Sequence, residues 1–376
     1  MNKILFLIEV SCRGGAQNVL LTILKGLDRK KYVPIVVLME RGWLEDILRA
    51  NGYEVVVLRV SNKGSDWWFL FELIRLIICR RVNLIHAHLF DSGVYACLAG
   101  VLCRAHVIVT LHGQVDWRKS GPLFKDVIKR WIINLGASKI TYVSSELRKF
   151  YEAIGLCQAN SCVVYNGIDI DLYSPKQSIN HRSSLGFLSD DILIGVIGHI
   201  KPWKGYEYLL DAARRVIREY PSARFLIVGE YNESDPYYAA LDDRVRTNHL
   251  QGHVRFLGYR SDVRDILSVL DIFVLPSNCE GFSIAVIEAM AMKVPVIATM
   301  CGGPEGIITH EVNGFLVPVK DSESLSKMIT KVYEMRTRGD LGEILERGRL
   351  TIEHKFTLSR QLSSYYGLYE TLLRLD

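Results

Sequence analysis

The sequence predicts an α/β fold of two parallel-sheet domains, and three observations predict it. The chain has 376 residues, too many for one typical hydrophobic core, so two domains are the default. Apolar runs of strand length alternate with helix-period segments from end to end, the pattern of parallel strands joined by covering helices. The alternation comes in two series. Between them, residues 166–189 contain Gly, Asp, Pro and Ser with little periodicity and read as a linker.

The first series opens with an apolar run at 4–8. Gly14-Gly15 then starts an amphipathic helix that reaches Leu27. Further strands are predicted at 33–38, 53–58, 84–87, 106–110 and 140–143, with helical patterns between them. The second series has strands at 192–197, 224–228, 254–257, 272–275 and 294–298. A last helix over 357–373 carries Tyr365, Tyr366 and Tyr369.

Hydrophobic residues make up 49% of the chain and charged residues 23%, as in an ordinary folded protein. The net charge of +5 conceals an asymmetry. Residues 1–165 hold 22 Lys and Arg against 13 Asp and Glu, whereas residues 166–376 hold 24 against 28. A basic half seeks anionic partners such as nucleic acid, phosphorylated substrates or acidic lipid. The apolar start of the chain stops at Glu9 with no small-residue cleavage site, which argues against a signal peptide. The apolar stretch 67–79 is broken by Glu72 and Arg75 and is too short to span a bilayer. Eight cysteines form no C-x-x-C pair and no zinc spacing, so core thiols in a reducing cytoplasm are expected.

The most chemically informative stretch is Glu280-Gly281-Phe282-Ser283-Ile284-Ala285-Val286-Ile287-Glu288. Glu288 is the only charge between Glu280 and Lys293, in a helix that is apolar all round. Such a helix is usually buried, and a buried carboxylate is costly unless something hydrogen-bonds it. Glu280 sits at a strand-to-helix turn, and the backbone N–H groups of Phe282, Ser283, Ile284 and Ala285 suit a hydroxyl-rich or phosphorylated ligand. The plain alternative is a capping Glu280 and a Glu288 paired with a cation.

This stretch has company. Gly14-Gly15-Ala16, Thr110-Leu111-His112-Gly113, Asn166-Gly167-Ile168-Asp169, Lys204-Gly205, Val254–Gly258, Gly302-Gly303-Pro304-Glu305 and Asn313-Gly314-Phe315 follow one another along the chain. In this order they closely resemble the family 4 retaining glycosyltransferases. The resemblance implies the GT-B fold: two Rossmann-like domains whose parallel sheets face an active-site cleft. It places an acceptor-binding domain at 1–168, a nucleotide-sugar domain at 169–356, and a terminal helix at 357–376 packed back on the first domain. It implies transfer of a hexose or N-acetylhexosamine from a nucleotide diphosphate sugar, UDP favoured and GDP open. The acceptor would be a hydroxyl of a lipid-linked or cell-surface polysaccharide precursor.

The resemblance also assigns roles. Glu280 would hold the donor sugar with the backbone of 282–285, and Glu288 the ribose hydroxyls. Lys204, with Gly15, would stabilise the departing diphosphate, and His112 would reach the donor sugar. Gly14 and Gly15 permit close approach of an anion. Tyr259 and Arg260 match the loop that reads the base. His199 stands where the family pattern has arginine, and neutral imidazole stabilises a diphosphate less well than guanidinium does. Asp169 and Asp171 form a D-x-D that reads as a turn, so no metal and no cofactor are expected. His86 and His88 share a strand face and read as structural, with no third ligand near in sequence.

Residues 116–139 interleave aromatic and basic side chains. Trp117, Arg118, Lys119, Lys125, Lys129 and Arg130 are the candidate contacts to an anionic membrane. An ordinary amphipathic surface helix is the alternative. The expected location is cytoplasmic, at the inner face of the plasma membrane, with no nucleic-acid partner. A nucleotide-sugar epimerase and a non-catalytic nucleotide-sugar-binding subunit stay open beside the transferase.

Overall fold

The computed structural model describes residues 1–59, 67–114, 123–156, 159–175 and 181–374. Contacts divide the chain into two units: Met1–Asn166 with Ser359–Asp376, and Gly167–Leu358. Each is a parallel sheet covered by helices, as the alternating pattern demands.

The first sheet has seven strands: β1 Asn2–Ile8, β2 Tyr32–Leu38, β3 Glu54–Val57, β4 Leu84–His88, β5 His106–Leu111, β6 Lys139–Tyr142 and β7 Ser161–Val163. They lie in the order β3-β2-β1-β4-β5-β6-β7. The run from Ile4 to Ile8 is fully buried, as expected of a strand covered on both faces. Steps from β3 to β4, β4 to β5 and β5 to β6 all cross the sheet in one direction. Right-handed crossovers therefore set the helices Trp67–Arg80, Phe90–Cys103 and Leu123–Gly136 on one face. The other face carries Gly15–Gly26 and the last helix, Leu358–Leu373, whose Tyr369 packs edge-on against Phe6 and Tyr32.

The second sheet has six strands: β8 Ile192–Ile197, β9 Ala223–Val228, β10 Val254–Gly258, β11 Ile272–Leu275, β12 Val296–Thr299 and β13 Phe315–Val317. Their order is β10-β9-β8-β11-β12-β13. The strand order reverses between β8 and β11 here and between β1 and β4 in the first sheet. Loops at the carboxyl ends of such a strand pair form the crevice in which open α/β sheets bind ligands.

Two strands, β7 and β13, were not among those expected. Both are three-residue edge strands, too short to show a period. The stretch expected as a linker is built into the second unit beyond Asn166. Ile168 pairs with Thr357, its N–H donating to Phe356 O at 3.0 Å. Gly167 is required there, because a Cβ would lie 2.2 Å from Thr357 O.

Candidate functional site

In the second unit, two loops meet at the β8/β11 reversal. The loop after β8 ends in a short 3-10 turn, Pro202–Lys204. The loop after β11 runs from Pro276 to Ser283 and leads into the helix Ile284–Ala291. Gly205 lets them touch. It has φ +65, and a Cβ would lie 2.1 Å from Pro276 O, so a larger residue would be strained and would drive the loops apart. Asn278 N–H then donates to Trp203 O at 2.7 Å.

This contact delivers Lys204 to Glu280. Lys204 Nζ lies 2.6 Å from Glu280 Oε1, with both side chains largely buried. Ser277 Oγ donates to the same carboxylate oxygen at 2.7 Å. Glu280 N–H donates to Cys301 O at 3.1 Å, and Glu280 pairs with Gly302 in an isolated bridge. The carboxylate is thus fixed by a cation, a hydroxyl and its own backbone. Lys204 keeps further N–H directions for an anion, since an ammonium has three.

Four residues on, at Ile284, the chain turns into its apolar helix. Ser283 caps it by accepting from Val286 N–H at 3.4 Å. The N–H groups of Ile284 and Ala285 belong to the first turn, where no carbonyl of the helix can take them. Both residues are half-buried, as is Glu288 one turn further along. The surrounding apolar packing pushes the Glu288 carboxyl up to about 7, against the opposing pull of a hydrogen bond from Tyr173. Tyr173 Oη donates to Glu288 Oε1 at 2.6 Å, leaving Oε2 for another donor. Arg349 holds this arrangement by donating to Tyr173 O, to Ile170 O and to Ala291 O at the helix's end.

Neither Tyr173 nor Arg349 was foreseen. Tyr173 falls in the stretch read as a linker, and Arg349 lies 176 positions away from it. No local signal joins them. The neighbouring D-x-D is a turn: Asp169 Oδ1 accepts from the N–H groups of Asp171 and Leu172 at 3.1 and 3.3 Å. Tyr259 is 51% exposed. Arg260 next to it forms a two-bond pair with Asp262 at 2.8 and 2.5 Å. His199 is half-buried just past β8.

In the first unit, Gly14 and Gly15 stand where the helix Gly15–Gly26 begins after β1, and the space a Gly15 side chain would fill is open. His88 ends β4, and His112 lies just past β5. His88 Nδ1 and His112 Nε2 are 3.0 Å apart, which leaves His112 Nδ1 for a ligand. His86, stacked on His88, uses both ring nitrogens, meeting Tyr369 Oη and Thr110 Oγ1 at 2.7 Å each. Burial drives His86 and His112 down to about 3, and His88 well below its ordinary value. All three are neutral at physiological pH. His112 is thus the third histidine that the sequence did not bring near His86 and His88. Both His86 nitrogens are committed to hydroxyls, and His88 Nδ1 is committed to His112.

Among the membrane candidates, Trp117, Arg118 and Lys119 lie outside the described residues. Lys125 is exposed and Arg130 half-buried. Lys129 turns inward to Asp91, at 2.6 Å. No helix among the described residues is long and apolar enough to cross a membrane.

Comparisons with known proteins identify the family and the fold. The family model for Glycosyltransferase Family 4 matches residues 13–172, and that for glycosyl transferases group 1 matches residues 177–347. The chain is 24% identical over 369 residues to the Escherichia coli UDP-Gal:alpha-D-GlcNAc-diphosphoundecaprenol alpha-1,3-galactosyltransferase, covering 94% of this chain and 93% of that protein. It is 24% identical to the E. coli O-antigen biosynthesis glycosyltransferase WclY, with 99% of each covered. The crystal structure of Anabaena HepE in complex with UDP superposes with a TM-score of 0.86 at 24% identity, covering 98% of this chain and 100% of that one. The two sheets, the ordered motifs and these relatives converge: the chain belongs to the family 4 glycosyltransferases and is a glycosyltransferase of the GT-B fold.

Proposed function

We propose that the protein is a retaining glycosyltransferase that moves a hexose or N-acetylhexosamine from a UDP-sugar to a hydroxyl of a lipid-linked polysaccharide precursor, releasing UDP. The observation that carries the reading is the Lys204–Glu280 pair at the β8/β11 reversal, beside the open first turn of Ile284–Ala291. A cation and unpaired amides there suit a diphosphate, and a fixed carboxylate suits sugar hydroxyls. UDP is favoured because HepE binds it and the E. coli galactosyltransferase is named for it. A diphosphoundecaprenol acceptor in that relative, and O-antigen synthesis in WclY, support the acceptor class.

In this reading Glu288 Oε2 accepts from a ribose hydroxyl, with Tyr173 holding the other oxygen. Lys204 bridges Glu280 and the leaving phosphate and stabilises charge as the glycosidic bond breaks, usually the largest contribution an active site makes. Attack comes from the face the diphosphate leaves, with a phosphate oxygen taking the acceptor's proton. Glu280 serves as an electrostatic and hydrogen-bonding partner and not as a nucleophile. No metal or cofactor is required, since Lys204 and the helix N-terminus neutralise the diphosphate.

Proton NMR of the first-formed product tests the proposal. The new linkage should keep the donor's anomeric configuration, and the rate should be unchanged by EDTA. An inverted product overturns the mechanism. Loss with chelator and rescue by manganese overturns the metal-free account.

A further inference from the structure

The three helices on one face of the first sheet, Trp67–Arg80, Phe90–Cys103 and Leu123–Gly136, expose an unusual amount of apolar surface. Among the described residues, eleven of the nineteen exposed large hydrophobic side chains lie on them. Trp67 and Trp68 come out at the start of the first helix, 73% and 67% exposed. Trp131, 65% exposed, stands midway along the third with Ile128 beside it. Toward the helices' carboxyl ends Ile78, Leu102 and Leu135 come out in turn. Single exposed hydrophobics are ordinary, but a contiguous layer marks a docking surface. The second unit is the control: among its described residues, Leu350 is the only exposed large hydrophobic on an α-helix.

Charge selects the occupant. Arg81 and Arg104 follow the ends of the first two helices, and Lys125 lies in the first turn of the third. All three are exposed. A protein interface depletes charge within its packed core and depletes lysine across the patch. Tryptophans set among exposed basic residues instead match the amphipathic boundary of an anionic bilayer, where indole rings sit at headgroup depth. We infer that this three-helix layer is a monotopic docking face for an anionic lipid bilayer, with Trp68 and Trp131 inserting and Arg81, Arg104 and Lys125 meeting headgroups. The inference builds on the lipid-linked acceptor proposed above by naming the surface that meets the membrane. It also brings in the helix Trp67–Arg80, whose apolar run the sequence offered only as too short to span.

The test is flotation of the full chain with phosphatidylglycerol and with phosphatidylcholine vesicles. Binding should favour phosphatidylglycerol and fall with salt, and brominated acyl chains should quench tryptophan fluorescence. The double variant Trp68→Ser, Trp131→Ser should lower partitioning roughly tenfold or more, because binding scales with inserted apolar area. Its melting temperature should be unchanged, both side chains being exposed. Wild-type protein that ignores anionic vesicles at low salt overturns the inference. So does a double variant that binds as well as wild type. So does concentration-dependent self-association that the double variant abolishes without any vesicle binding, which would make the layer a face for a second copy. UDP calorimetry on both proteins separates the two readings. Lost docking with intact UDP binding removes the membrane face alone, and intact docking with no UDP binding removes the donor assignment alone.

Discussion

The two units share an architecture and differ in what they place at the same point of it. Each reverses its strand order once, between β1 and β4 and between β8 and β11. At the first reversal stand glycines and a chain of histidines that burial keeps neutral. At the second stand a lysine and a carboxylate in direct contact. Their outer surfaces diverge as well. The first unit shows apolar helices, whereas the second covers itself with ion pairs such as Arg244–Asp211 and Lys327–Glu323. A parallel sheet therefore fixes where a ligand can sit, while the side chains at its strand ends decide which charge it must carry.

The sharpest way to break this comparison is to remove the charge from the second reversal. Lys204→Ala should lower kcat about 10²–10³-fold, the range found when one preorganised electrostatic donor is lost. Glu280→Gln should follow it closely, since each leaves the other without its partner. Steady-state kinetics with a UDP-sugar check both. If Lys204→Ala keeps near-wild-type turnover, the pair is structural.

A smaller effect is expected at Glu288. Glu288→Gln should weaken UDP binding about tenfold, the worth of one charge-assisted hydrogen bond, as read by calorimetry. The pH dependence has a definite sign. The folded carboxyl sits at about 7, above its ordinary value of 4.5, so the folded state holds the proton more tightly than the unfolded chain. Its contribution to stability is full below about 4.5 and is lost as pH rises through about 7. The ligand-free melting temperature should therefore decline across that window, and Glu288→Gln should flatten the decline. UDP affinity should move the other way and rise through pH 7 as the accepting carboxylate forms. An unchanged melting profile in the variant would assign the slope to other groups.

At the first reversal the expected effect is smaller again. With His86 and His112 held at about 3, no histidine of this chain of contacts titrates between pH 5 and 8. His112→Asn, which keeps a neutral donor and acceptor, should reduce kcat/KM by about fivefold, or about 1 kcal/mol. Any limb of the pH–rate profile near 7 should survive that change and disappear in Glu288→Gln. A limb that vanishes with His112 instead would show that this histidine protonates and would erase the contrast between the units. The smallest effect belongs to Lys125→Gln, which removes a single charge. One charge near an anionic surface contributes at most about 1 kcal/mol, so vesicle affinity should fall only a few-fold, and none of that loss should remain at high salt.

Much of this was legible in the chain. The strands that form the centres of both sheets announce themselves as apolar runs such as Ile4–Ile8 and Ile192–Ile197, because a strand covered on both faces has no polar side to show. Glu280 and Glu288 stood out because charge inside an apolar helical stretch has to be explained by a partner. Edge strands β7 and β13 were not legible, since three residues cannot display a period. Nor could sequence distinguish Lys129, folded onto Asp91, from Lys125, which is exposed.

What the sequence determined by itself was therefore the class of fold, the presence of two sheets, and the identities of the charged residues at the strand ends, because periodicity and isolated charge are local properties. Only the tertiary structure decided which groups meet. Tyr173 reaches Glu288 from 115 positions away, Lys204 reaches Glu280 from 76, and His88 reaches His112 from 24. It also decided that the greasy stretch 67–79 keeps part of its apolar surface outside. A helix with more hydrophobic faces than the sheet can cover must present the remainder to something else, and how much the sheet covers depends on the neighbours that topology supplies.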